Sequence, residues 1–319
     1  MRVAVLAGGA SLEREVSLLS GHRVQAALAA SGHDAHLLDP AAVPLVEALG
    51  SGGHEAAFVA LHGKLGEDGV VQRLLELLGI PYTGPGPFAC QVAFDKGLAK
   101  EAMRAAGVPT PPWSVVSQAA LRDLGAGAAI SRVAEMLGGP LVVKPARGGS
   151  ALGLKFVDRA ADLPAAVMGA MAYADAVVVE RRIEGTEVAV GILGDPGEPL
   201  PPVEIVPKGG VYDYAARYTA GATEYFVPAR LGEEALGACR DAALAAFAAL
   251  GLRDVARADL MVDRDGKPWV LELNVSPGMT ETSLLPLAAQ AAGMSFERLC
   301  ERVLDLSLAR SGDATGSTG

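Results

Sequence analysis

Cysteine is scarce: Cys90, Cys239 and Cys300 are scattered through 319 residues with no metal-ligand spacing. They read as small core residues of a protein kept in a reducing compartment. No run of Lys and Arg occurs and the net charge is −10, which argues against nucleic acid and against anionic membrane surfaces. No apolar stretch is long enough to span a bilayer. The apolar run from Val3 to Ala7 is too short for a signal peptide and is soon followed by charge. Internal repeats are absent. The expected location is therefore the cytoplasm. What is present is a chain with half of its residues apolar and 20% charged, long enough for two or three domains with real cores.

The densest chemistry runs from Arg257 to Ser283, RADLMVDRDGKPWVLELNVSPGMTETS. Asp265-Gly266 is a two-residue turn signal between two apolar-rich runs, so a β-hairpin is expected. Symmetry about that turn puts Asp259 across from Glu272 and Arg257 across from Asn274. Side chains alternate along a strand, so these four share one face. Two carboxylates directly opposed repel each other. A divalent cation between them removes that cost, and Asp, Glu and Asn offer the oxygen ligands that suit magnesium. The alternative is a solvated hairpin face where two acids meet by chance.

In chain order, a strand over Arg2 to Ala7 is followed by the Gly8-Gly9 turn and a helix that Ser11 can cap. Glu13 falls at the first helical turn, either as a simple dipole partner or as a carboxylate at a strand's carboxyl end, where open α/β sheets bind ligands. GGASLE lacks the G-x-G-x-x-G spacing, so a dinucleotide fold has little support. A second strand, Ala56 to Leu61, ends in His62-Gly63, and a helix follows over Val70 to Leu78. Pro81 to Pro87 reads as a domain boundary. Asp95-Lys96 opens a helix ending at Gly107. A loop is expected over Gly125 to Ala129, then a helix to Gly138-Gly139. Lys144 sits on the apolar strand PLVVKP and needs an anion there. The glycine-rich ARGGSALG behind it can cradle phosphates or simply join two strands. Strands over Ala176 to Glu180 and Glu187 to Leu193 precede a Gly- and Tyr-rich loop over 208–221, long enough to be a lid. A helix over Glu233 to Leu250 leads to the hairpin, and a last helix spans Phe296 to Ala309. The polar tail, 311–319, is expected to be disordered.

VLAGGASLEREVSLLSG, ALHGKLGEDG, LLGIPYTGPG, VVKPARGGSALG, VYDYAARY and LELNVSPGMTETSLLP together resemble the D-alanine–D-alanine ligase family from Val3 to about Leu308. A Rossmann dehydrogenase, the competing reading of the first strand, leaves the hairpin acids and the second glycine-rich loop unexplained. The resemblance implies an α/β (α+β) chain with the ATP-grasp fold. It implies a parallel-sheet domain over 1–87 and two ATP-clamping subdomains over 88–180 and 181–310. It implies ATP bound by Lys96, Lys144, Glu180, Glu187 and Arg217, with the backbone of Arg181 to Ile183 at the adenine. Asp259, Glu272 and Asn274 would hold magnesium or manganese, two ions in all. Glu13 would take the ammonium of the first D-alanine, with His62 beside it, and Ser283 the carboxylate of the second. Glu13, Ser150 and Tyr218 would clasp two loops over the site, and Arg257 with the Gly278 N–H would form an oxyanion hole. Family members are often homodimers. Gly148, Ala151, Ala215 and Arg217 depart from the family's usual residues around the lid. A D-alanine–D-lactate or other carboxylate–amine ligase, or a silent ATP-binding relative, would share most of these motifs.

Overall fold

The computed structural model describes residues 1–212, 216, 217, 219 and 221–315. Strand β1 (Arg2–Leu6) is apolar on both faces, and such a strand is stable only when both are covered. It lies at the centre of a three-stranded parallel sheet between β2 (Asp34–Leu38) and β3 (Ala56–Val59). Val3 and Val5 face helix α1 (Arg14–Ala30), meeting Val24 and Leu28. Ala4 and Leu6 face α2 (Leu45–Gly52) and α3 (Val70–Leu77), meeting Leu49, Val71 and Leu75. The loops that leave the carboxyl ends of β1 and β3 carry Glu13 and His62.

Helices α4 (Pro87–Phe94) and α5 (Lys96–Ala105) follow, and Asp95 caps α5 by accepting the N–H groups of Gly97 and Leu98. A four-stranded antiparallel sheet comes next, ordered β4-β7-β5-β6. Its strands are β4 (Trp113–Ser117), β5 (Leu141–Pro145), β6 (Lys155–Val157) and β7 (Ala176–Arg181). Three helices cover one face: α6 (Gln118–Leu124), α7 (Ala126–Leu137) and α8 (Leu163–Ala170). The third sheet contains β8 (Thr186–Gly194), β9 (Gly197–Pro199), β10 (Val203–Pro207) and β11 (Thr223–Phe226), with β12 (Val255–Val262) and β13 (Pro268–Asn274) after α9 (Glu233–Ala249). Helices α9, α4 and α5 bury one of its faces. Helices α10 (Leu284–Ala291) and α11 (Phe296–Thr315) sit between this sheet and the first one, sharing a core with α1.

Several expectations shift. The loop expected over Gly125 to Ala129 shrinks to Gly125, whose φ of 93° breaks the chain, and helix resumes at Ala126. Alanine's helix preference outweighs the glycines around it. Glu13 rather than Ser11 is the residue that precedes α1, and its side chain makes no cap; the Ser11 hydroxyl accepts the Glu13 N–H instead. The last helix runs to Thr315, so 311–315 belong to it, while 316–319 lie outside the described residues. Strand β2 has no clear signal in the sequence because it is a half-exposed edge strand without alternation.

The hairpin turn also differs. Asp263 pairs with Lys267 through its N–H, and Gly266 stands at φ 80°, so the loop has three residues rather than two. Asp259 still opposes Glu272, and Arg257 still opposes Asn274. A bulge at Leu271, between the pairs Leu260–Val270 and Asp259–Glu272, restores the register that the longer loop removed. Without it Glu272 would pair with Ala258 and point into the core.

Candidate active site

Alternation on β12 sends Ala258 and Leu260 into the core and leaves Arg257, Asp259 and Met261 on the face turned towards the four-stranded sheet. A cleft of about 310 Å³ lies between the two sheets. Its walls carry Lys96, Lys144, Glu180, Arg181, Ile183, Glu187, Arg217, Asp259 and Glu272, so the expected nucleotide and metal residues are brought together. The Arg181 guanidinium is turned away, donating to the Leu137 carbonyl at 3.1 and 2.6 Å, which leaves the backbone of this segment towards the cleft. Arg217 stacks on the Tyr212 ring at 4.4 Å.

The two hairpin acids are not left to repel each other. Arg257 grips Asp259 through two hydrogen bonds of 2.7 and 2.8 Å, and the Lys96 ammonium lies 3.4 Å from Glu272. Burial would raise the Glu272 pKa, but Lys96, Lys144, Arg217 and Arg257 outweigh it and hold it down at about 2. Glu187 goes the other way: burial, with Asp259 and Glu272 nearby, pushes it up to about 7 against the pull of Arg217. Lys96 also donates to the Gly148 carbonyl at 2.6 Å, tying the glycine-rich loop to the hairpin. Asn274 donates to Asp259 at 3.2 Å. Among the described residues no group of three or more His, Cys, Asp and Glu side chains is arranged to hold a metal ion. The hairpin offers two carboxylates and one amide, all oxygen donors, a set that fits a hard divalent ion completed by phosphate oxygens or water.

Lys100, buried behind the cleft wall against Glu180, is a residue that sequence reasoning missed. Its side chain is wholly buried, with Nζ 2.8 Å from Glu180 Oε2 and 2.7 Å from the Thr110 hydroxyl. Lys144 takes the other oxygen, Glu180 Oε1, at 2.7 Å. Glu180 is thus clamped between two ammonium groups, which keep it ionised despite burial. The available signal was spacing: Lys96 and Lys100 lie one helical turn apart on one face of α5.

A second, smaller chamber adjoins the cleft, and Arg217 and Tyr212 line both. It gathers Glu13, His62, Ser150, Arg257, Asn274, Gly278 and Ser283 from five separate stretches of chain. The Ser150 hydroxyl donates to Glu13 Oε1. Gly63 and Gly149 hem in that carboxylate: a Cβ on Gly63 would come within 2.7 Å of Glu13 Oε2, and one on Gly149 within 2.8 Å of Glu13 Oε1. Tyr218, the expected third member of the clasp, and Ala215 lie outside the described residues. Ser283 precedes α10 without capping it; its hydroxyl accepts the Thr280 N–H at 3.0 Å. Glu67, also missed, faces His62 Nδ1 at 3.8 Å, and burial and the Glu13 charge raise its pKa well above the usual carboxylate range. It sits in KLGEDG, a connector without periodicity, so nothing in the pattern singled it out.

His62 is buried, and burial pushes its pKa down to about 4 from an ordinary 6.5. The unfolded chain therefore takes up this proton first as pH falls. The stability from holding the ring neutral is complete above about pH 6.5 and is lost between there and pH 4. Relative to His62→Gln, the wild type should lose about 3 kcal/mol of unfolding free energy between pH 7 and pH 4. Denaturant titrations of both proteins at the two pH values measure this, and a constant difference would show that the ring titrates normally.

The family model described as D-ala D-ala ligase C-terminus matches residues 102–305, and the one described as D-ala D-ala ligase N-terminus matches residues 46–85. The D-alanine–D-alanine ligase of Anaeromyxobacter sp. (strain K) is 46% identical over 304 residues, covering 95% of this chain and 96% of that protein. The D-alanine–D-alanine ligase of Gloeobacter violaceus is 44% identical over 315 residues, covering 97% of this chain and 100% of that protein. The crystal structure of the Bacillus anthracis D-alanine–D-alanine ligase complexed with ATP superposes with a TM-score of 0.84 at 32% identity, covering 98% of this chain and 99% of that one.

Proposed function

The chain belongs to the D-alanine–D-alanine ligase family and has its ATP-grasp fold, and on that premise we propose how the two chambers join two D-alanines into D-alanyl-D-alanine as ATP becomes ADP and phosphate. The observation that carries the reading is the shared wall: a cation-rich cleft fit for a triphosphate opens into a small polar chamber fit for amino acids, with Arg217 lining both.

A carboxylate is a poor electrophile and must first be activated. Glu13, hydrogen-bonded by Ser150, receives the ammonium of the first D-alanine and aims that substrate's carboxylate towards the cleft. There a carboxylate oxygen attacks the γ-phosphorus of ATP, the β–γ bridging P–O bond breaks, and ADP leaves an acyl phosphate behind. Lys96, Lys144 and Arg217 surround the transferring group with positive charge that is already in place. Asp259, Glu272 and Asn274 would hold magnesium or manganese, two ions in all, whose chemistry is to neutralise phosphate charge. The neutral amine of the second D-alanine, its carboxylate held at Ser283, then attacks the acyl carbon. Arg257 and the Gly278 N–H stabilise the oxyanion, the C–O bond to phosphate breaks, the nitrogen's surplus proton passes to the departing phosphate, and the dipeptide forms. Water must be excluded, since it would hydrolyse the acyl phosphate, and the 208–221 segment is the proposed lid.

The parallel-sheet part, 1–87, would bind the amino acids, with 88–180 and 181–310 clamping ATP. We also propose a cytoplasmic homodimer; three buried free thiols fit a reducing compartment. Among the described residues no helix is long and apolar enough to cross a membrane.

The assay is ADP release together with mass detection of the dipeptide from ATP, magnesium and D-alanine. Absence of both would leave a silent ATP-binding relative, a reading weakened by the presence of Glu13, Arg257, Asp259 and Glu272 at the positions the chemistry needs. The nucleophile is tested by competition. An amine must shed its ammonium proton before attack, so dipeptide yield should rise with pH, whereas a hydroxyl has no such proton to lose. With equal D-alanine and D-lactate at neutral pH, D-alanyl-D-alanine should dominate, and predominant depsipeptide would overturn the specificity.

A further inference from the structure

Helix α1 carries a wholly buried serine, Ser20, in its interior. Serine is a poor interior helix residue unless its hydroxyl has a use beyond the helix. Here the use is long-range: Ser20 Oγ lies 3.1 Å from the Met279 amide nitrogen and 3.2 Å from His62 Nε2. One helical step along, Arg23 donates to the Met279 carbonyl at 2.9 Å. One face of α1 therefore grips both ends of Met279, the residue that follows Gly278, while its N-terminus presents Glu13.

We propose that Ser20 is a positioning residue linking the two amino-acid subsites: it accepts the Met279 N–H and donates its own proton to His62 Nε2. The assignment rests on the ligase reading only for which molecules occupy the subsites. A hydroxyl has one proton and two lone pairs; the Met279 N–H claims one lone pair, and giving the proton to Nε2 uses the hydroxyl as acceptor and donor at once. The ring proton then belongs on Nδ1; a Glu67 carboxyl oxygen lies 3.8 Å from that nitrogen, beyond hydrogen-bond reach, and the ring also hydrogen-bonds the backbone of Ser276. The imidazole is thereby fixed as one neutral tautomer beside the first substrate. The same hydroxyl fixes the peptide plane between Gly278 and Met279, which adjoins the plane of the oxyanion donor on the side of the second substrate. A burial of this kind without a partner for Met279 N–H or for Nε2 would be costly, which explains a serine here rather than alanine.

The test is Ser20→Ala in the full chain, read in two ways. Nitrogen-15 spectra should show wild-type His62, identified among the five histidines by its loss in His62→Gln, with Nε2 unprotonated and Nδ1 protonated. In Ser20→Ala that single tautomer should give way to a mixture. The variant's kcat/KM for D-alanine should fall about tenfold or more, with the KM for ATP unchanged. A protonated Nε2 in the wild type overturns the proposal, even if Ser20→Ala fails to fold. So does a variant whose only change is a lower active fraction with both KM values intact, as a purely structural serine would give. If the wild type makes no dipeptide, the ligase reading fails, and the ring spectrum still decides this one.

Discussion

Glu272→Gln should lower kcat by about a thousandfold, equivalent to about 4 kcal/mol of transition-state stabilisation. Glu272 is ionised, faces Asp259 across the hairpin, and lies within reach of Lys96. It is thus one half of the only paired-acid position that the register places on the cleft side of β12 and β13. Gln keeps the shape and one oxygen donor but removes the charge that would attract a divalent ion. The fold should survive, because Arg257 already neutralises Asp259 without help from Glu272. Some stability should be lost: the folded-state pKa is depressed, so the carboxylate's contribution is present above pH 4.5 and disappears as pH falls towards about 2. A readout independent of turnover is the rise in melting temperature on adding ATP with magnesium, compared with ATP and a chelator. The wild type should show a larger rise with magnesium, and Glu272→Gln should show little difference. Turnover within tenfold of wild type would remove Glu272 from the reaction centre.

The second large effect is expected from Arg257→Leu. Arg257 is buried, and Asp259 keeps its guanidinium firmly charged despite that burial. Removing it strips the proposed oxyanion hole of its charge and should lower kcat by about a hundred- to a thousandfold. It also strands Asp259 in a buried position, which typically destabilises by about 3–5 kcal/mol. The stability loss is checked in the double variant Arg257→Leu/Asp259→Asn. Neutralising the stranded acid should recover most of the melting temperature, while activity stays low because Asp259 is itself a proposed metal ligand. Activity is therefore judged in Arg257→Leu alone: a kcat within tenfold of wild type for its folded fraction would make Arg257 no more than the counter-ion of Asp259.

The acid pair was legible in the sequence because a hairpin converts spacing into opposition, and only two residues decide which side chains face each other. The turn itself was misread. Asp265-Gly266 suggests a two-residue loop, yet Gly266 at positive φ closes a three-residue one, and a bulge, which leaves no mark in the hydrophobic pattern, returns Asp259 and Glu272 to opposition. The proposed nucleotide residues come from motif resemblance rather than from periodicity. Lys100 escaped because a lysine inside a helix normally reads as a solvated face, and only tertiary packing puts it against Glu180. Glu67 and Ser20 escaped for the same reason: their partners lie on segments distant in sequence or without regular structure, and neither carries a spacing that marks it.

The bulge at Leu271 has a consequence for chain length. Val270 pairs with Leu260 and Glu272 with Asp259, so Leu271 has no partner of its own across the hairpin, and its side chain instead joins the wall of the larger cleft. A relative one residue shorter at this point would keep its two acids opposed and lose only a patch of apolar wall. A relative one residue shorter just past Glu272 would instead bring Asn274 across from Ala258 and turn its amide into the core. Insertions and deletions in this strand therefore fall into two kinds, those that retune the pocket and those that dismantle it, and the boundary between them is a single peptide bond.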